Sequence, residues 1–111
     1  MALTFVDKAI IKDIPGIRII ITEVLGDNSY PNGGYEIDCE SLYDITTILS
    51  SYLYPEEIED TPGYLVKLFP HSLYIGKSIL RIYDATGTEL PAGFDVSSIE
   101  TVLTFFGAYR K

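Results

Sequence analysis

Short runs of β-branched and aromatic residues, separated at close intervals by turn residues, are the feature that most restricts how this chain can fold. The run at 16–25 places Ile17, Ile19 and Ile21 on one face and Arg18 and Ile20 on the other. Isoleucine-rich runs favour strands because the side-chain χ1 angle is already restricted. We therefore predict a strand here, with Ile19 buried. The Gly, Asp, Asn and Pro residues at 26–34 predict a loop after it.

Later segments repeat this pattern. Residues 41–42 are predicted to begin a crossing loop, and 44–54 is ambiguous because its apolar residues also fit helical spacing. We favour a strand there, since threonine and paired serines weaken helix propensity. The connection at 84–93 is too short for a crossover helix, which indicates antiparallel pairing. The other predicted strands lie at 35–39, 64–69, 78–83 and 99–106, with a possible further one at 72–75.

Several short strands joined by turns predict an all-β fold, either a compact antiparallel β-sandwich or a small barrel. A length of 111 residues allows one domain. We assign that β domain to 16–111. Residues 1–15 are interpreted as either a first strand or an extended N-terminal arm.

The charge balance argues against two classes of partner. Eight Lys and Arg against sixteen Asp and Glu give a net charge of −8. Nucleic acids and anionic membranes both require basic surface, so we expect neither as a partner. The N-terminal residues lack the basic start and continuous apolar centre of a secretory signal, and no stretch approaches the roughly 20 apolar residues of a membrane span. Synthesis in a cytoplasm fits these features.

Few residues suggest chemistry. His71 is the only histidine and follows Pro70, which predicts an exposed turn residue rather than a catalytic base. Cys39 lies between Asp38 and Glu40, which should raise its thiol pKa, so we interpret it as a small apolar filler. The loop at 27–34 and the acidic segment at 56–60 could offer oxygen ligands, but both lack the spacing of acidic residues found in a calcium loop. We predict no catalytic residue, no metal and no cofactor, although sixteen carboxylates leave a glycosidase-like pair open.

The string GDNSYPNGGY at 26–35 resembles a GD-x-SYP-x-GG segment of the small capsid decoration, or cement, proteins of tailed bacteriophages. Later segments are similar in their order. The resemblance spans 16–109, and the chain departs from the pattern in the acidic stretch at 56–60 and the terminal YRK. The later matching segments are PGY at 62–64, LRIYD at 80–84, ELPAG at 89–93 and the strand that ends at 107.

This resemblance implies a structural virion protein on the capsid exterior, made in the host cytoplasm and without enzymatic activity. Its partner would be the major capsid protein, whose subunit contacts it stabilises, and it would often self-associate. Another virion component (head completion, neck or tail) or a carbohydrate-binding β module are the alternatives.

Contact residues are predicted from exposure, because loops at the ends of a β-sandwich carry binding while the sheets carry packing. Tyrosine, present nine times, combines an apolar face with a polar tip and is enriched at interfaces. The N-terminal arm is a further candidate. The predicted partner-binding residues are Asn28, Tyr30, Asn32, Tyr35, Tyr52, Tyr54, Glu56 and Glu57.

Overall fold

A computed structural model describes residues 3–11, 15–54, 64–71 and 73–109. Within these ranges the chain forms seven β-strands and one short helix. Their bounds are β1 Thr4–Ile11, β2 Ile17–Leu25, β3 Tyr35–Asp38, α1 Cys39–Tyr43, β4 Ile45–Tyr54, β5 Leu65–Pro70, β6 Lys77–Tyr83 and β7 Glu100–Tyr109.

The strands form two antiparallel sheets. The first sheet has the order β1-β2-β7-β4 and the second has the order β3-β6-β5. The two sheets stay separate, and a common core lies between them. The prediction of an all-β fold is therefore confirmed, and the architecture is the sandwich rather than a closed barrel. No helix in the described part of the chain has the length and apolar character needed to span a membrane.

The N-terminal segment pairs with the first sheet. Residues of β1 lie opposite β2 from Thr4, which faces Leu25, to Ile11, which faces Ile19, with a bulge after Asp7. Of the two interpretations of this segment, a strand or an extended arm, the structure has the strand for Thr4–Ile11.

Alternate residues of β2 and β7 point into the core. Ile20 lies opposite Phe105 and Thr22 opposite Leu103, and all four are buried. The expectation that Ile19 is buried is wrong, because Ile19 lies on the other face and is only partly covered. The run is apolar on both faces, so its alternation did not indicate which face the second sheet covers.

The segment at 41–42 belongs to α1 and is not the predicted loop. The Asp38 carboxylate accepts a hydrogen bond from the Ser41 amide at 3.1 Å, which caps the N-terminus of this one-turn helix. The helix ends at Tyr43 and is capped by Asp44, whose φ of 58° is the left-handed conformation that turns the chain into β4. A helix this short leaves no periodic signal in the sequence.

The ambiguous segment is a strand. β4 forms the edge of the first sheet beside β7, and its register shifts between Ile45 and Thr47 and again between Ile48 and Ser50. These two irregularities account for the helix-like spacing of its apolar residues, because each inserted residue changes the alternation.

Candidate functional site

The predicted contact loop at 28–35 contains two tyrosines that are buried. Tyr30 is fully covered and Tyr35 nearly so, and their rings pack edge to face with centroids 5.7 Å apart. The expectation that both are exposed contact residues is therefore wrong. Asn28 and Asn32 are exposed as expected.

The loop is held from inside by its own polar groups. The Asp27 carboxylate accepts hydrogen bonds from the Ser29 amide at 3.2 Å and from the Tyr35 hydroxyl. The Tyr30 amide and carbonyl both pair with the 93–94 turn at 2.8 Å. Burial is the main cause that raises the pKa of both tyrosine hydroxyls. The motif that carries the family resemblance thus builds the core at this end of the sandwich.

Of the remaining predicted residues, Tyr52 and Tyr54 are 62% and 78% exposed. Tyr52 packs edge to face on Phe106 of the neighbouring strand, with ring centroids 5.9 Å apart. Glu56 and Glu57 lie outside the described residues. The structure thus places Tyr52 and Tyr54 together on β4, on a different element from the 28–35 loop.

Both tyrosines belong to a surface that we call the outer face of the first sheet, the side turned away from the core. Opposite pairs in the register share a face, and Ile19 with Phe106 and Ile21 with Thr104 are two such pairs. Most of its members are apolar and partly exposed. The described members are Thr4, Val6, Ile17, Ile19, Ile21, Glu23, Leu25, Thr47, Ser50, Tyr52, Tyr54, Glu100, Val102, Thr104, Phe106 and Ala108.

A second surface, which we call the apolar tip, was not predicted. Leu73, Tyr74 and Ile75 form the turn between β5 and β6 and are 79%, 54% and 70% exposed. The prediction of a strand at 72–75 is wrong for 73–75. Leu42 and Leu49 are also exposed apolar residues, and Leu49 lines the same groove as Tyr74 and Ile75.

The apolar tip is ordered by His71. Its Nδ1 accepts hydrogen bonds from the amides of Leu73 at 3.0 Å and Tyr74 at 3.3 Å. Its Nε2 lies 3.2 Å from a Glu36 carboxylate oxygen, and only 12% of its side chain is exposed. The prediction of an exposed turn residue is therefore wrong. His71 supports the tip because a ring nitrogen that accepts amide hydrogens fixes a turn as an Asx side chain does.

Further contacts hold the tip against the body of the sandwich. Lys77 Nζ lies 4.6 Å from the centre of the Tyr74 ring and 3.1 Å from Glu36 Oε1. The Ile75 carbonyl accepts a hydrogen bond from the Ile48 amide of β4 at 2.8 Å. The exposed side chains thus stand on a backbone that is fixed from both sheets.

Carboxylates surround the tip. A groove beside Leu73 and Tyr74 is lined by Asp38, Glu40 and Asp44, which belong to α1 or its caps. Lys77 lies 3.8 Å from Asp38. The described residues contain no group of three His, Cys, Asp or Glu side chains arranged to hold a metal ion.

Cys39 is buried at the start of α1. Burial, with a smaller effect of Asp38, raises the pKa of its thiol to about 12. This agrees with the interpretation of Cys39 as a filler, because a thiol with so high a pKa is a poor nucleophile at neutral pH.

The apolar tip carried a weak signal in the sequence. Pro70 and Gly76 bracket the segment and mark a turn, but its apolar residues favoured a strand. The contacts from His71 to Glu36 and from Ile75 to β4 join distant segments, and no local pattern predicts them.

Comparisons with protein-family models, with curated proteins and with solved structures found no match to this chain.

Proposed function

We propose that this chain is a structural protein that binds the outer surface of an assembled phage capsid and stabilises contacts between major capsid protein subunits. The observation that carries the proposal is the apolar tip, in which Leu73, Tyr74 and Ile75 are exposed on a fixed turn. The resemblance of 16–109 to capsid decoration proteins supplies the partner.

Exposure of the tip to water is unfavourable, and burial in a partner would reverse that. Transfer of apolar surface from water is worth about 25 cal/mol per Å². Because His71 and Ile75 already fix the turn, little conformational entropy is lost when a partner binds it. A fixed apolar projection suits a pocket on a rigid protein shell.

The charges around the apolar tip indicate the charge that a partner surface should carry. Asp38, Glu40 and Asp44 line the groove beside it. A complementary surface would present an apolar pocket with Lys or Arg at its edge, and binding would weaken as salt rises. An anionic lipid surface would instead repel these carboxylates.

Stabilisation would follow from mass action. A ligand that binds only the assembled shell favours that state by RT ln(1 + [L]/Kd) at each site. A shell offers the same site many times, so modest affinity at each suffices. A subunit that contacts two capsid neighbours must also be displaced before those neighbours separate.

Co-sedimentation with expanded and unexpanded shells of the cognate capsid protein tests the proposal. We expect saturable binding to expanded shells and a loss of about tenfold in affinity for Leu73→Ser, since truncation of a buried apolar anchor costs more than 1 kcal/mol. Phe94→Ser is the matched control, because Phe94 is also an exposed apolar side chain and lies on the turn that pairs with Tyr30, outside the apolar tip and the outer face of the first sheet. Absence of binding to either shell would overturn the function, and equal binding by Leu73→Ser and the parent would overturn the assignment to the tip.

Copy number separates this function from the other virion roles. A decoration protein occupies repeated sites over the whole shell, whereas a neck or tail component occupies one vertex. Quantitative mass spectrometry of purified particles should therefore find this chain at a copy number comparable with that of the capsid protein. A count that matches the tail proteins instead would contradict the proposal.

A further inference from the structure

The outer face of the first sheet is apolar where a solvent-facing antiparallel sheet is usually polar. Such sheets pack one face on the core and alternate apolar inward with polar outward residues. Here β2 turns Ile17, Ile19 and Ile21 outward, and β7 turns Val102 and Phe106 outward beside them. We propose that this face binds the same face of a second copy of the chain and forms a two-fold symmetric dimer.

The face is large enough for such a dimer. Four strands about 4.8 Å apart, with nine residues of about 3.4 Å each in β2, cover roughly 600 Å² before the relief of the side chains is counted. Specific interfaces take about 600–1,000 Å² from each partner. Complete pairing of two faces therefore lies within this range, whereas a contact over one or two strands does not.

The charges of the face favour one orientation of the two copies. Glu23 and Glu100 are the charged members among its described residues, and both lie at one end of the sheet, where β2 finishes and β7 begins. A two-fold axis along the strands would set the two acidic ends over each other. An axis across the strands, within the interface, sets each acidic end over the opposite end of the partner and keeps like charges apart.

A second copy is the occupant that this surface fits. Isologous pairing requires a surface that is complementary to itself, and a sheet face whose described residues carry no charge in its middle meets that condition. Two sheets of native twist pack face to face about 10 Å apart with strands within about 30° of each other. Tyr52 of the edge strand β4 packs edge to face on Phe106 and would add aromatic contact at that side of the face.

The dimer is independent of the capsid-binding proposal because it uses other residues. Leu73 lies on the turn between β5 and β6 of the second sheet, whereas Ile21 lies in the middle of β2. Leu73→Ser should therefore associate as the parent does. If the chain dimerises but does not bind shells, the capsid-binding proposal is wrong. If it binds shells but does not dimerise, the dimer proposal is wrong.

Sedimentation equilibrium of the full chain, from about 1 to 100 µM, tests the dimer, since interfaces of this size give dissociation constants in or below that range. Ile21 lies at the middle of the nine-residue strand and so close to its own copy across the axis. Ile21→Lys should raise the dissociation constant at least about tenfold. It also makes the net charge less negative, from −8 to −7, so weaker association cannot come from general repulsion.

Ile21→Val is the matched control and should dimerise as the parent does. Phe106→Lys, on the neighbouring strand, gives the same readout at a second position and covers the case in which Ile21→Lys does not fold, as judged by circular dichroism. A parent that stays monomeric at the highest concentration would overturn the dimer. So would an oligomer whose dissociation constant neither lysine variant changes.

Discussion

The Tyr30 hydroxyl donates a hydrogen bond to Glu89 Oε2 at 2.7 Å and accepts one from the Ile82 amide at 3.1 Å. One fully buried side chain thus ties the 26–34 loop to β6 and to the turn before β7. The aromatic ring fills the core, and the hydroxyl accepts the hydrogen bond of the Ile82 amide beyond Leu80, where the pairing of β6 with β3 ends. This dual role explains why a tyrosine in a glycine-rich loop points inward.

Tyr30→Phe should destabilise the fold by about 1–3 kcal/mol, because it leaves the buried Ile82 amide without its acceptor while the ring volume is unchanged. Urea unfolding measures this loss. Tyr54→Phe removes a hydroxyl that is exposed to water and should change the free energy of unfolding by less than about 0.5 kcal/mol. Equal effects of the two substitutions would contradict the structural role of Tyr30.

The strands were predictable because their signal is local. β2 and β7 are rich in β-branched and aromatic residues, and turn residues border them in the sequence. The face that the core covers was not predictable, since β2 is apolar on both sides. Ile20 is buried and Ile19 is not because the second sheet packs on one side only, and that choice depends on residues distant in sequence.

The exposure of the candidate contact residues was likewise predictable only in part. Tyr52 and Tyr54 were predicted as exposed residues of the right chemistry, and the structure exposes both. Tyr30 and Tyr35 are also tyrosines but are buried, because Glu89 and Asp27 accept hydrogen bonds from their hydroxyls. Whether a tyrosine is exposed depends on such contacts between distant segments, and the residue type alone does not predict them.

Two adjacent glycines offer a matched test of the loop. Gly34 has a φ of 101°, and a Cβ there would lie 2.6 Å from the Leu80 carbonyl oxygen. Gly33 also has a positive φ, 84°, but a Cβ there would meet nothing within 4 Å. Gly33→Ala should cost about 1 kcal/mol of backbone strain, and Gly34→Ala should cost at least about 2 kcal/mol more, because backbone must move. Thermal unfolding compares the two, and equal melting temperatures would contradict the close approach.

His71→Ala should loosen the apolar tip without unfolding the sandwich. The amides of Leu73 and Tyr74 lose their acceptor, Nδ1, and their hydrogen exchange should accelerate about two- to tenfold, the equivalent of a net 0.5–1.5 kcal/mol. The Thr86 and Thr88 amides, which donate to Asp84 in another turn, are internal controls. Nuclear magnetic resonance measures all four in one sample. Acceleration at every site would indicate global destabilisation instead.

Tyr43 should make the stability depend on alkaline pH. Burial is the main cause that raises the pKa of its hydroxyl from 10.0 to about 12, with Asp7 accepting its hydrogen bond at 2.7 Å. Because the folded state holds the proton more tightly than the unfolded state, this contribution is complete below pH 10 and is lost as the pH rises through about 12.

The free energy of unfolding should therefore fall between these two pH values, and less steeply in Tyr43→Phe than in the parent. Tyr30 and Tyr35, whose pKa values are also raised, remain in both proteins, so the difference between the two curves isolates Tyr43. Urea unfolding at a series of pH values gives both curves. Parallel curves would mean that the Tyr43 hydroxyl titrates alike in the folded and unfolded chains. That result would contradict the burial of Tyr43 against Asp7.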